Sequence, residues 1–128
     1  MQKVSTPPSC FKVGGFTRDM TIASGTQAVT GIGFKPKAII FFSCQNSAVG
    51  KSSWGFDIQA LHAVLADRYN ETANTYTSGT TQSIWALESA ANHYQGLASS
   101  LDADGFTITW TRTATPSGTL QVYFLAIG

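Results

Sequence analysis

Phe106-Thr107-Ile108-Thr109-Trp110-Thr111 alternates without a fault, with three large apolar side chains on one phase and three threonines on the other. A period of two held over six residues marks a strand with one dry face and one wet face. Turn chemistry brackets it. Asp102-Ala103-Asp104-Gly105 comes before, a hairpin turn closing on glycine, and Thr115-Pro116-Ser117-Gly118 comes after, with proline at its second position. Beyond that second turn, Thr119 to Ile127 reads as a closing strand. Leu120, Val122, Phe124 and Ala126 share one phase, and Tyr123, Leu125 and Ile127 share the other.

Working back from this pair, the same texture recurs. Ala38-Ile39-Ile40-Phe41-Phe42-Ser43-Cys44 is apolar on both phases, as expected of a strand covered on both sides. Trp54-Gly55-Phe56-Asp57-Ile58 alternates, which suggests Trp54, Phe56 and Ile58 facing inward and Asp57 outward. Shorter candidates lie at Phe11–Thr17, with a glycine bend, and at Thr26–Thr30 and Ile84–Leu87. Ala60–Tyr69 suits either one helical turn or a short strand, and the Thr-rich stretch Asn70–Gln82 reads as a long polar loop. About eight short strands with closely spaced turns predict an all-β fold, an antiparallel β-sandwich of jelly-roll type. It would fill residues 11–128, preceded by an extended N-terminal arm over residues 1–10 around Thr6-Pro7-Pro8-Ser9.

Composition narrows the function. Only 12% of the 128 residues are charged against 43% hydrophobic, and the formal net charge is +1, so there is no long-range field to steer a charged partner. The eight Lys and Arg residues are scattered, which disfavours nucleic-acid binding. No apolar stretch approaches membrane-spanning length and the first residues lack an apolar signal core, so synthesis in a reducing cytoplasm is expected. On that reading Cys10 and Cys44 stay unjoined, and the Asn70-Glu71-Thr72 sequon is a chance match.

The chemistry-bearing motifs are all incomplete. Gly50-Lys51-Ser52 copies the end of a phosphate-binding loop, but position 45 is Gln and the following residues read as a strand. Asp102-Ala103-Asp104-Gly105 opens like a calcium loop whose twelfth position would be Thr113, not Glu. His62 and His93 lie in no spaced ligand set, although His62 with Asp67 is a possible pair. Pairing of Glu71 or Glu88 with Asp19, Asp57 or Asp67 has no support. The chain therefore reads as no enzyme, with no cofactor and no metal. Among the aromatic residues, Trp54 and Trp110 fall in phase with apolar neighbours and read as core, whereas Tyr69 and Tyr76 flank the polar stretch as a possible ligand loop. Ile39, Phe41, Tyr123, Leu125 and Ile127 are surplus to one sandwich core. If their strands are neighbours they form an apolar patch larger than monomers leave exposed, which points to an oligomer interface rather than to cover by a helical turn near Leu61–Leu65.

Thr30-Gly31-Ile32-Gly33-Phe34-Lys35-Pro36-Lys37-Ala38-Ile39-Ile40-Phe41-Phe42 resembles a segment of small structural proteins of tailed bacteriophages. Asp104-Gly105-Phe106-Thr107-Ile108-Thr109-Trp110 and Tyr123-Phe124-Leu125-Ala126-Ile127-Gly128 are similar to the ends of the same proteins. The resemblance implies a virion structural protein, foremost a capsid cement (decoration) protein that self-associates as a dimer or trimer, binds the major capsid protein and reinforces the shell. Its location would be the capsid surface, after synthesis in the host cytoplasm. The alternative is a glycan-binding recognition module of a tail or fibre. A chain that starts at Met1, with nothing before the domain, favours cement over a fibre tip.

Overall fold

A computed structural model describes residues 10–45, 50–70 and 73–128, with the side chains of 69, 70 and 73–75 left out. The expected arm, apart from its last residue Cys10, lies outside them. Ten strands form two antiparallel sheets packed as a sandwich, rather than eight. They are β1 (Phe11–Asp19), β2 (Gly25–Val29), β3 (Ala38–Gln45), β4 (Lys51–Asp57) and β5 (His62–Asn70), then β6 (Ala73–Gly79), β7 (Ile84–Leu87), β8 (His93–Asp102), β9 (Gly105–Thr113) and β10 (Thr119–Ile127). One sheet has the order β1-β10-β3-β4-β5-β6 and the other β2-β9-β8-β7. Consecutive strands β3 to β6 and β7 to β9 stay within one sheet, so the chain does not alternate strictly between sheets.

The stretch left open between helix and strand is β5, and most of the expected polar loop is β6, paired to β5 from Val64↔Gly79 to Asn70↔Ala73. Threonine explains the difference. A β-branched hydroxyl residue suits an outer strand as well as it suits a loop, and composition alone does not separate them.

The core lies between the sheets. Trp110, Tyr94, Phe41, Phe106, Ile39 and Val122 are among its largest fully buried side chains. Phe106 meets Phe41 and Phe124 edge to face, with centroids 5.6 and 5.2 Å away. Its polar handles are satisfied: Trp110 Nε1 donates to Gln27 Oε1 at 3.0 Å, and the Tyr94 hydroxyl accepts from Arg18 Nε at 2.9 Å. The hairpin turn before β9 is confirmed, with Asp102 paired to Gly105. It also carries a clamp. Asp104 accepts from the backbone N–H groups of Gly31 and Gly33, both at positive φ, and so fixes the loop between β2 and β3.

Two phase assignments are corrected. Ile39 and Phe41, expected on the outer face, are 0% and 1% exposed and belong to the core. Trp54, Phe56 and Ile58, expected inside, face out, while Asp57 is 0% exposed. Alternation shows which residues share a face, but not which face is dry. What decides β4 is the close approach of β7. A Cβ on Gly55 would run into the Ser83 carbonyl, so the inward phase at position 55 admits only glycine. Asp57 completes that phase because its carboxylate has partners: it accepts from the N–H of Gln59 at 2.7 Å and, across the sandwich, from that of Ala98 at 3.1 Å. In β3 the inward Ser43 meets Ser53 hydroxyl to hydroxyl at 2.6 Å, which locks Ile39 and Phe41 into the same phase.

Candidate functional site

The outer side of the six-stranded sheet is the anomaly of this molecule. Strand pairing places its outward residues in rows that run across the strands. One row is Val13, Leu125, Ile40, Phe56, Ala63, and the next is Gly15, Tyr123, Phe42, Trp54, Leu65, Ser78. On one side, Phe11, Ile127 and Ala38 extend the patch over β1, β10 and β3. No charged side chain occurs in these rows. The first comes one row beyond Trp54, where Asp67 accepts a hydrogen bond from the Ser52 hydroxyl. At strand spacings of ~4.8 Å and ~3.4 Å per residue, the apolar area spans roughly 19 by 14 Å.

Its relief is uneven. Trp54, 58% exposed, stands up between two grooves. The wider, about 520 Å³, is lined by Ile40, Trp54, Gly55, Phe56, Ala63, Val64 and Leu65. The narrower, about 250 Å³, is lined by Ile40, Phe42, Trp54, Tyr123, Phe124 and Leu125. Trp54 leans on Phe42, with centroids 4.5 Å apart, and Phe42 stacks at 18° on Tyr123. The aromatic row is therefore braced from one side and open on the other.

Of the residues the sequence singled out as an interface, Tyr123, Leu125 and Ile127 lie on this face, and Ile39 and Phe41 do not. Their places are held by Ile40 and Phe42, which together with Trp54, Phe56 and Leu65 the sequence reading missed. No signal within β4 could have found them. Of its two phases, Ser53, Gly55, Asp57 and Trp54, Phe56, Ile58, the second is the one a sheet with a wet exterior would turn inward. Of the proposed ligand loop, Tyr76 is exposed at the far edge of the same sheet, opposite Asp67, and the Tyr69 side chain lies outside the described residues.

The remaining motifs resolve into structure. Lys51 and Ser52 open β4, a strand, and Lys51 Nζ lies 4.0 Å from Glu88. His62 and Asp67 point to opposite faces of β5. His62 instead sits beside Asp57, Nδ1 to Oδ2 3.0 Å, at ion-pair distance but out of line for a hydrogen bond. Asp102 accepts from the hydroxyls of Thr107 and Ser100, both at 2.8 Å, and these bonds hold its carboxyl below the usual carboxylate range. Trp85 packs its ring over Gly79 and stands 5.7 Å from the His93 ring. No disulfide joins Cys10 to Cys44. Cys44 pairs with Gln121 and Cys10 precedes Phe11, which pairs with Ile127, so roughly 20 Å separates them, far beyond disulfide reach. Among the described residues, no three His, Cys, Asp or Glu side chains gather where they could hold a metal ion. No helix among the described residues is long and apolar enough to cross a membrane.

No family model, no curated protein and no solved structure matches this chain.

Proposed function

We propose that this protein is a structural subunit that works inside an assembly, with the outer face of β1, β10, β3, β4 and β5 covered by protein. The resemblance in its sequence makes the assembly a virion and the subunit a capsid cement protein that reinforces the shell. One observation carries the assembly reading: three rows of an outer sheet face hold no charge and present Trp54, Leu65 and Tyr123 at 58%, 54% and 49% exposure. Monomers rarely leave contiguous apolar patches of more than a few hundred Å² in water, and such patches mark interaction sites. The glycan-binding alternative fits this face less well. A sugar site sets free polar groups beside its aromatic rings to fix hydroxyls. Here the cross-strand neighbours of Trp54 and Tyr123 are Phe42, Leu65 and Gly15, and the polar residues one row beyond, Ser52 and Gln121, already donate to Asp67 and to the Phe16 carbonyl.

Light scattering on the purified chain at tens of micromolar should give a mass well above the 13.6 kDa of one chain. A single-chain mass at that concentration would contradict the reading.

A further inference from the structure

Three properties of the outer face say what covers it. The first is area. A fully exposed aromatic side chain offers roughly 150–250 Å². At the exposures of Phe11, Val13, Ile40, Trp54, Phe56, Leu65 and Tyr123, which run from 40% to 70%, the apolar face offers several hundred Å². That is on the order of the ~800 Å² per partner buried in a stable interface of standard size. The second is charge. A face with no ionised group has nothing to repel an identical face, and a chain of net charge +1 carries almost no self-repulsion as a whole. A partner of opposite charge would gain nothing from it.

The third is shape. A ridge, Trp54, lies beside a groove of about 520 Å³ with Ile40, Phe56, Ala63 and Leu65 around it. Ridge and groove on one surface are what a two-fold axis needs, because the contact that one copy makes is returned by the other. The narrower groove, about 250 Å³, offers about half the space of the wider one, so the wider one receives the ridge.

We infer that the occupant of this face is a second copy of the same chain, in an isologous dimer with the six-stranded sheets face to face and each Trp54 indole seated in the partner's Ile40–Phe56–Ala63–Leu65 groove. This deepens the assembly reading and depends on it. The resulting four-layered particle keeps both four-stranded sheets outward. Trp54 acts as the anchor, since buried tryptophans are enriched among the few residues that carry most of an interface.

Sedimentation of the full chain tests it, using two variants that add no charge. Trp54→Ala removes the ridge, and Ala63→Trp fills the groove from its floor. The unmodified chain should sediment as twice 13.6 kDa. Each variant should raise the dissociation constant at least thirtyfold while its circular dichroism stays that of the unmodified chain. Tryptophan emission should shift to the red as the unmodified protein is diluted, and should not do so in Trp54→Ala. A dimer that both variants leave at full affinity, or a trimer, would overturn this inference and leave the assembly reading standing. A monomer at all concentrations would overturn both. A change in circular dichroism in one variant hands the decision to the other variant and the dilution series.

Discussion

The two outer faces of this sandwich are made from opposite materials. Across the four-stranded sheet the outward phase is mostly hydroxyl and amide, with Thr26, Thr107, Thr109, Thr111 and Gln95 beside Ala28 and, among the described residues, only Leu97 and Trp85 as large apolar side chains. Across the six-stranded sheet they include Val13, Leu125, Ile40, Phe56, Tyr123, Phe42, Trp54 and Leu65. Both faces are nearly free of charge, so charge does not distinguish them. The hydroxyls do. A threonine face has high strand propensity and keeps its water, whereas an aromatic face of the same propensity gains by losing it. In the proposed assembly the wet face would limit growth in one direction and the dry face would drive it in the other. One low-charge chain can thus be soluble on one side and adhesive on the other.

The sharpest way to break this comparison is to show that the six-stranded sheet has been turned inside out. Phe41 and Phe42 are neighbours on opposite phases of β3 and differ only in which side they face. In a Leu125→Glu background, which should hold the protein monomeric, Phe41→Ala should cost about 3–5 kcal/mol, the usual range for emptying a buried phenyl site. Phe42→Ala should cost clearly less, about 1–2 kcal/mol there, because its ring is only partly buried in the single chain and the rest of its loss falls on the association. Chemical denaturation of the two variants checks both. Equal costs would mean that the phase of β3 is misassigned.

How far this was legible in the sequence follows from the same pair. The dry-and-wet alternation of Phe106–Thr111 and the faces of β10 were readable, because one phase of each strand is plainly the core. In β3 both phases are apolar, and in β4 the larger residues point out. There the sequence states an alternation whose sign depends on a distant event, the passage of β7 over Gly55. No local rule carries that information. Tyr123, Leu125 and Ile127 were found because their strand was unambiguous. Ile40, Phe42 and Trp54 were missed because theirs were not. The hairpin of β5 and β6 was hidden for another reason: its threonines suit a strand edge and a loop alike.

Asp57 gives the next prediction, since it fixes the phase of β4. Asp57→Ala leaves the buried Ala98 N–H without its acceptor and should cost roughly 1–3 kcal/mol for that donor alone. Urea denaturation of the same monomeric background would show it. A neutral result would mean that the close packing at Gly55 sets the phase unaided.

A smaller effect should come from the threonine face. Asp102 is held below its ordinary pKa by hydrogen bonds from Thr107 and Ser100. Its folded value therefore lies below the unfolded one of 3.8. The stability it adds is fully present above that unfolded value and is lost as pH falls through the folded value. Thr107→Val should weaken this acid-side loss, leaving the melting temperature near neutral pH only slightly lowered. Melting curves from pH 6 down to pH 2 for the two proteins should converge toward the acid end. Parallel curves would remove Asp102 from the account.

The central claim is that one outer face is buried in an assembly and the other is not. Its most direct test is a matched pair of charges, Leu125→Glu on the apolar face and Thr109→Glu on the threonine face, each followed by sedimentation across a concentration series. Leu125→Glu should give a folded single chain of about 13.6 kDa at concentrations where Thr109→Glu still sediments as the unmodified assembly. If both variants remain assembled, or if Thr109→Glu is the one that dissociates, the apolar face is not the contact and the account is wrong.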